Sequence, residues 1–252
     1  MMLGAVTYNI LKDWDVETII AKLEAAGFEA VELRTGHQHL VEPSISKAER
    51  ERLKSRFERS KVKLLSFGST CEFQSPDPAE RQKQVATAKA FIDLAHDTGA
   101  WGVKVRPNGI PTGSTVEDTV PRVASGLREV ADYGAGRGVE IWMEVHGTVT
   151  QNPPVAAAIM RAAKHNNVFA CWNSNPTDVV NGSIKPSFDL LKPWIRNVHI
   201  NELSNNYPWR ELFKLLREAK YERYTLCEVA ESPEPERFLS YYRALWTELN
   251  RP

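Results

Sequence analysis

One pattern recurs along the whole chain and limits what it can fold into. Short runs rich in β-branched or aromatic residues alternate with stretches that carry helix signals. The runs are residues 4–9, 30–34, 63–69, 102–107, 139–145, 168–173, 197–201 and 224–229, eight in all. Their centres lie about 26 to 38 residues apart, which is room for one strand and one helix each time. Such alternation predicts a parallel sheet, and eight units in 252 residues predict closure into a single (β/α)8 TIM barrel, whose usual length is about 250 residues. Residues 1–252 are therefore expected to form one domain.

Local signals agree with that division. Asp13 precedes the helical run that ends at Ala26, and Ser46 with Glu49 forms a capping box ahead of a highly charged helix. Ser114 with Glu117 is read as a second box, and Asp77-Pro78 and Ser232-Pro233 are read as placing proline at the first helical position. Gly27, Gly99 and Gly138 fall just before strands, where helices stop. The glycine-rich run from Gly134 to Gly138 closes a helix and precedes a strand. That is the reverse of the strand–turn–helix order that presents backbone amides to a dinucleotide. The segment between Asn173 and Trp194 offers only a short helix.

Charge excludes several function classes. Lys plus Arg and Asp plus Glu each total 32, so the formal net charge is zero. No overall field draws the chain to nucleic acid or to acidic lipid. The charged segment from Ile45 to Lys63 interleaves acids and bases at helical spacing, as a solvated outer helix does. No apolar run reaches the ~18 residues of a membrane span, and the first residues lack a basic n-region. Cys71, Cys171 and Cys227 are odd in number and have no CxxC spacing, which predicts free thiols in a reducing, cytoplasmic setting.

In a barrel of this kind the interior is filled by aliphatic side chains, and chemistry sits at the carboxyl ends of the strands. Ionisable residues of inward parity near those ends therefore need a reason. The fifth strand puts Glu144 and His146 on one face, the sixth ends at Asn173, the seventh carries His199 and the eighth Glu228. Two carboxylates brought together without compensation repel each other and lose hydration, so a divalent cation is their economical partner. Other inward charges are Glu32 and Arg34 on the second strand and Lys104 and Arg106 on the fourth. Arg34, Lys104, Arg106, His146, Trp172 and Glu202 are the candidate substrate contacts, with His37, His39, Trp14 and Trp209 as further candidates near strand ends. The bland alternative is that Glu32 and Arg34 neutralise each other in a buried pair, as would the charges near Lys104 and Arg106, and that most tryptophans are core. Trp101, at the start of a strand, reads as packing. Cys171 and Cys227 are expected to face the helix layer.

The ordered set Glu, Asn, His and Glu on the last four strands resembles the metal site of the xylose-isomerase-like barrel superfamily of sugar isomerases and epimerases. That superfamily also includes hydroxypyruvate isomerase, inosose dehydratase and endonuclease IV. Supporting phrases are YNI on the first strand, GFEAVELR on the second, VHINEL on the seventh and CEVAES on the eighth. The resemblance implies one divalent ion held by Glu144, Asn173, His199 and Glu228, with Mn, Mg, Co or Zn open and manganese marginally favoured by the oxygen-rich donor set. It also implies Glu144 and Glu228 as acid and base, moving a proton through an enediolate of a sugar or keto-sugar. The chain departs from the family where Asn173 replaces the usual Asp and Pro176 replaces a His often found three residues later. That lowers the ligand charge from three to two.

The loops after strands seven and eight lack glycine and carry an acid, so an unphosphorylated substrate is expected. A lyase that dehydrates a keto-inositol or cleaves a 3-keto-glycoside would use the same residues, and a non-catalytic sugar-binding relative is a third reading. An abasic-site nuclease would need a polynuclear metal cluster and a basic groove, and six histidines with zero net charge supply neither. The expected partner is a small sugar, with no nucleic acid and no membrane; a homo-oligomer stays open.

Overall fold

The computed structural model describes residues 1–251. Eight parallel strands close into a barrel in sequence order. They are β1 (Met2–Asn9), β2 (Ala30–Arg34), β3 (Lys63–Gly68), β4 (Gly102–Val105), β5 (Glu140–Glu144), β6 (Val168–Trp172), β7 (Ile195–Ile200) and β8 (Tyr224–Val229). Eight helices follow them in turn: α1 (Val16–Ala26), α2 (Lys47–Glu58), α3 (Pro78–Thr98), α4 (Val116–Ala135), α5 (Pro153–Ala163), α6 (Lys185–Leu191), α7 (Trp209–Glu218) and α8 (Pro235–Leu249). The expected (β/α)8 barrel is thus the observed one.

Capping chemistry sets the helix starts, sometimes at a neighbouring residue to the one expected. Ser46 and Glu49 make the reciprocal box at α2, and Asp77 accepts from the amide of Ala79 ahead of Pro78. For α4 the box is Thr115 with Asp118, one residue later than expected, because the Ser114 hydroxyl accepts from Arg122 instead. Asp15, not Asp13, accepts from Thr18 at α1. Helix α8 begins at Pro235 rather than Pro233, and Ser232 accepts from the amide of Glu234 in the preceding turn. Gly27 and Gly99 end α1 and α3 in the left-handed region, at φ 75° and 78°, where a side chain would add strain.

Two apolar layers result. The larger lies between strands and helices and takes Leu3, Leu33, Phe67, Met143, Trp172, Val198 and Cys227. The smaller fills the amino-terminal half of the barrel with Val6, Ala30, Leu65, Trp142, Cys171, Tyr224 and Leu226. Trp142 is fully buried there, and the space its indole occupies comes from Gly102, where an added Cβ would lie 2.6 Å from the ring. Gly4 leaves similar room for Leu226 and for the Ala30 carbonyl. Cys171 corrects an expectation: it alternates with Asn173 and shares its inward face, while Cys227 does face the helices. All three cysteines are buried and unpaired. Among the described residues, no helix is long and apolar enough to cross a membrane.

Candidate metal centre and active site

Above the Trp142 plug the barrel interior turns ionic. Glu144 is the last residue of β5, His199 sits one residue before the end of β7, and Glu228 one residue before the end of β8. One ligand atom from each of the three converges so that all lie within 4.8 Å of one another. His199 Nδ1 is 3.2 Å from Glu228 Oε2 and 3.7 Å from Glu144 Oε1. Glu144 and His199 are almost completely buried, whereas Glu228 keeps 18% of its side chain exposed. Asn173, the first residue past β6, lines the same opening.

The opposite ring nitrogen of His199 faces backward. Its Nε2 lies 3.5 Å from Glu32 Oε1, and Glu32 is itself completely buried on β2. Ser66 donates to Glu32 Oε2 at 2.8 Å, and the Asn197 amide donates to the same oxygen at 3.4 Å. Gly68 makes the carboxylate fit, since a Cβ there would stand 2.8 Å from Glu32 Oε1. A carboxylate behind an imidazole fixes the tautomer that leaves Nδ1 free as a ligand.

Lys104 completes the cluster, donating to Glu144 Oε2 at 2.6 Å with both groups buried. Burial works against the Glu144 carboxylate, but the Lys104 ammonium and His199 outweigh it and hold the group well below the usual range. Burial likewise opposes charge on Lys104, and Glu144, Glu32 and Glu228 reverse that. For His199, burial is outweighed by Cys171, Glu228 and Glu32, which raise it well above the ordinary imidazole value. Three carboxylates gathered around one imidazole make the place one that attracts a cation.

The site also tests well for a metal. Glu144, Glu228 and Glu32 carry three negative charges against one permanent positive charge on Lys104. Glu32 Oε1, Asn197 Oδ1 and His146 Nδ1 are buried there without a hydrogen-bond partner. Three converging oxygen and nitrogen donors with an open side suit a divalent ion.

Beyond the ionic cluster opens a cavity of about 320 Å³. It is lined by Tyr8, Arg34, Lys104, Arg106, Glu144, His146, Asn173 and Glu228, among others. The structure does not bring every expected contact there. Trp172 is 1% exposed and packs edge-on against Phe188 in the helix layer, its indole N–H donating to Tyr207. It cannot meet a substrate, because adjacent strand residues face opposite sides. Trp209 is core and Trp14 packs on it. Glu202 is half-buried beyond β7 and lies outside the cavity lining, its carboxyl pushed up by burial. His39 is structural: it bonds the Arg34 carbonyl and accepts from the amide of Val41. Glu32 and Arg34 do not pair with each other. Arg106 pairs instead with Glu72 at 3.0 Å, and Lys104 with Glu144.

Four supports have no signal in the sequence pattern. Ser66 holds Glu32 because β3 shifts register against β2 between the pairs Val31–Leu64 and Glu32–Ser66, which no alternation rule foresees. Ser174 adopts φ 35° directly after Asn173 and is held by donating to the His199 carbonyl, while its own carbonyl accepts from Asn201. Asn175 donates to the Val145 carbonyl, so the end of β6 is tied to both neighbouring strands. Asp178 accepts from Asn175 and Tyr207 behind that turn, with burial raising its carboxyl to about 7.

Comparison with known proteins decides the family. The model of the xylose isomerase-like TIM barrel family matches residues 20–244. The chain belongs to this family. A search of curated protein sequences gives no match. Among solved structures, a D-psicose 3-epimerase from Clostridium cellulolyticum H10, determined with D-tagatose, is 15% identical with a TM-score of 0.85, each chain being covered completely. The IOLI protein with a bound zinc atom is 16% identical, TM-score 0.81, with 99% of this chain and 96% of that one covered. A 3-keto-D-glucoside 4-epimerase from E. coli is 12% identical, TM-score 0.81, with 99% and 98% covered. Identities this low establish a shared xylose isomerase-like barrel and nothing finer.

Proposed function

We propose that this xylose isomerase-like barrel is a divalent-metal-dependent isomerase or epimerase of an unphosphorylated sugar or keto-sugar. The observation that carries the reading is the meeting of Glu144, His199 and Glu228 within 4.8 Å at the carboxyl ends of three strands, over a plugged barrel. Those three residues, with the Asn173 amide oxygen as a fourth, would hold the ion. When bound, it supplies Lewis-acid polarisation of a substrate carbonyl, which makes the neighbouring C–H acidic. The zinc in the IOLI protein and the epimerase names of the two other similar structures support this assignment.

The chain's own groups then do the proton work. Glu144 and Glu228 reach the cavity from different strands, so one can take the proton from carbon while the other returns one. Return to the opposite face of the same carbon inverts it; return to the adjacent carbon exchanges aldose and ketose. Lys104 occupies one oxygen of Glu144 and leaves Oε1 turned toward His199. Glu228 is the more accessible of the two, bonded to His199 and otherwise open to the cavity. The volume of about 320 Å³ fits a monosaccharide-sized ligand, at the small end of ligand pockets.

A screen of ketoses, keto-sugars and keto-inositols in D₂O, with Mn²⁺ added and then chelated, tests the proposal. Solvent deuterium should enter a substrate C–H only with the metal, and Glu228→Gln should slow that exchange by about 10²- to 10⁴-fold. Exchange indifferent to chelation would sink the metal-dependent mechanism. Loss of water or of a leaving group would identify the lyase, and sugar binding without exchange would identify a non-catalytic relative.

A further inference from the structure

One cation at the mouth has no counter-charge. Of the basic side chains lining the cavity, Lys104 is met by Glu144 and Arg106 by Glu72. Arg34, at the end of β2, has no carboxylate oxygen within 4.0 Å among the described residues. Its only side-chain hydrogen bonds come from Nη1, to the Thr35 carbonyl at 3.0 Å and toward His37 Nε2 at 3.5 Å. His37 is held to about 4 by burial and by Arg34 itself, so it stays neutral and offers Arg34 no counter-charge. The guanidinium carbon lies 5.2 Å from the centre of the Tyr8 ring. Ring and carbonyl thus orient the group in advance and leave its Nε–Nη2 edge free.

The charge count points the same way. Glu32, Glu144 and Glu228 are balanced by Lys104 and a divalent ion, and Arg106 by Glu72, which leaves Arg34 as the cavity-lining cation that no carboxylate touches among the described residues. A neutral sugar filling the cavity would strip water from that guanidinium and offer it only hydroxyl oxygens, which accept hydrogen bonds but supply no counter-charge, so the contact is weaker than one to an anion. We infer that the substrate carries a carboxylate, bound across the free edge of Arg34, so that the protein acts on a keto-sugar acid in preference to the neutral keto-sugar. This rests on the isomerase reading and narrows its substrate class. Two parallel N–H groups match the two oxygens of a carboxylate. The usual barrel phosphate site, at the start of α8, is taken up here by Glu231, Glu234 and Glu236, which pair with Lys12, Arg237 and Lys22.

Matched pairs that differ only at one terminal carbon test this: D-fructuronate against D-fructose and D-tagaturonate against D-tagatose, with D-fructose 6-phosphate as a third arm. Calorimetric binding to the Mn²⁺-loaded protein and deuterium exchange are both read. The uronates should bind at least about tenfold more tightly than the neutral ketoses, as a charge-assisted bidentate contact provides. Arg34→Gln should erase that preference, and Arg34→Lys should restore only part of it, because an ammonium keeps the charge without the fork. Equal binding of both members of each pair, a preference that survives Arg34→Gln, or tighter binding of the sugar phosphate would each overturn the inference. The two claims fail separately. Uronate-selective binding without exchange would sink the isomerase and leave Arg34's role standing, whereas metal-dependent exchange with no uronate preference would do the opposite.

Discussion

The two ends of the barrel interior are built from the same alternating strand positions and share almost no chemistry. On β5, two residues separate Trp142, sealed among Gly102, Leu226 and Cys171, from Glu144, which faces Lys104 and His199. On β8 the same step separates Leu226 from Glu228. The lower layer gains its stability from burial of apolar surface, which needs only volume and shape. The upper layer buries charges, each costly alone and tolerable only because the others are present. The fold thus gathers its fully buried charges at one end, above an apolar floor edged by the partly exposed Glu140–Arg223 pair, to which the Trp142 indole N–H donates.

If that division holds, substitutions in the two layers should separate stability from metal binding. The largest effect belongs to the floor: Trp142→Ala should lower unfolding free energy by about 3–5 kcal/mol, read from urea melts in chelator. A loss well below that would mean that the plug is not what supports the mouth. Next comes Glu32→Gln, which keeps shape and removes the charge behind His199. Titration with Mn²⁺ should show affinity reduced by about 10- to 100-fold; unchanged affinity would show that the Glu32–His199 contact plays no part in metal binding. The smallest change is Asn173→Asp, which restores a third ligand charge. Mn²⁺ affinity should rise, by about tenfold if one further close charge is worth about 1.4 kcal/mol in a partly solvated site. No increase would place the amide outside the coordination sphere.

Much of this was legible in the sequence because it depends on periodicity. The eight alternations announced the barrel, and counting by two from Glu144, His199 and Glu228 placed three side chains on one inward surface. The illegible parts are those where counting fails. The register shift in β3 brought Ser66 to Glu32, and the turn after Asn173 is held by backbone bonds from Ser174 and Asn175 that no pattern displays. Trp172 lies near a strand end, but its parity puts it opposite Asn173 and into the helix layer. Pairing partners are also beyond reach: Lys104 lies on β4 and Arg106 just past its end, yet their carboxylates come from β5 and from the loop after β3.

The indole of Trp142 has one more implication. With that ring stoppering the far end of the cylinder, the cavity opens at the carboxyl ends of the strands. A molecule leaving must vacate the threshold before the next can cross it, so arrival and departure are mutually exclusive events and inhibition by the reaction product should be purely competitive.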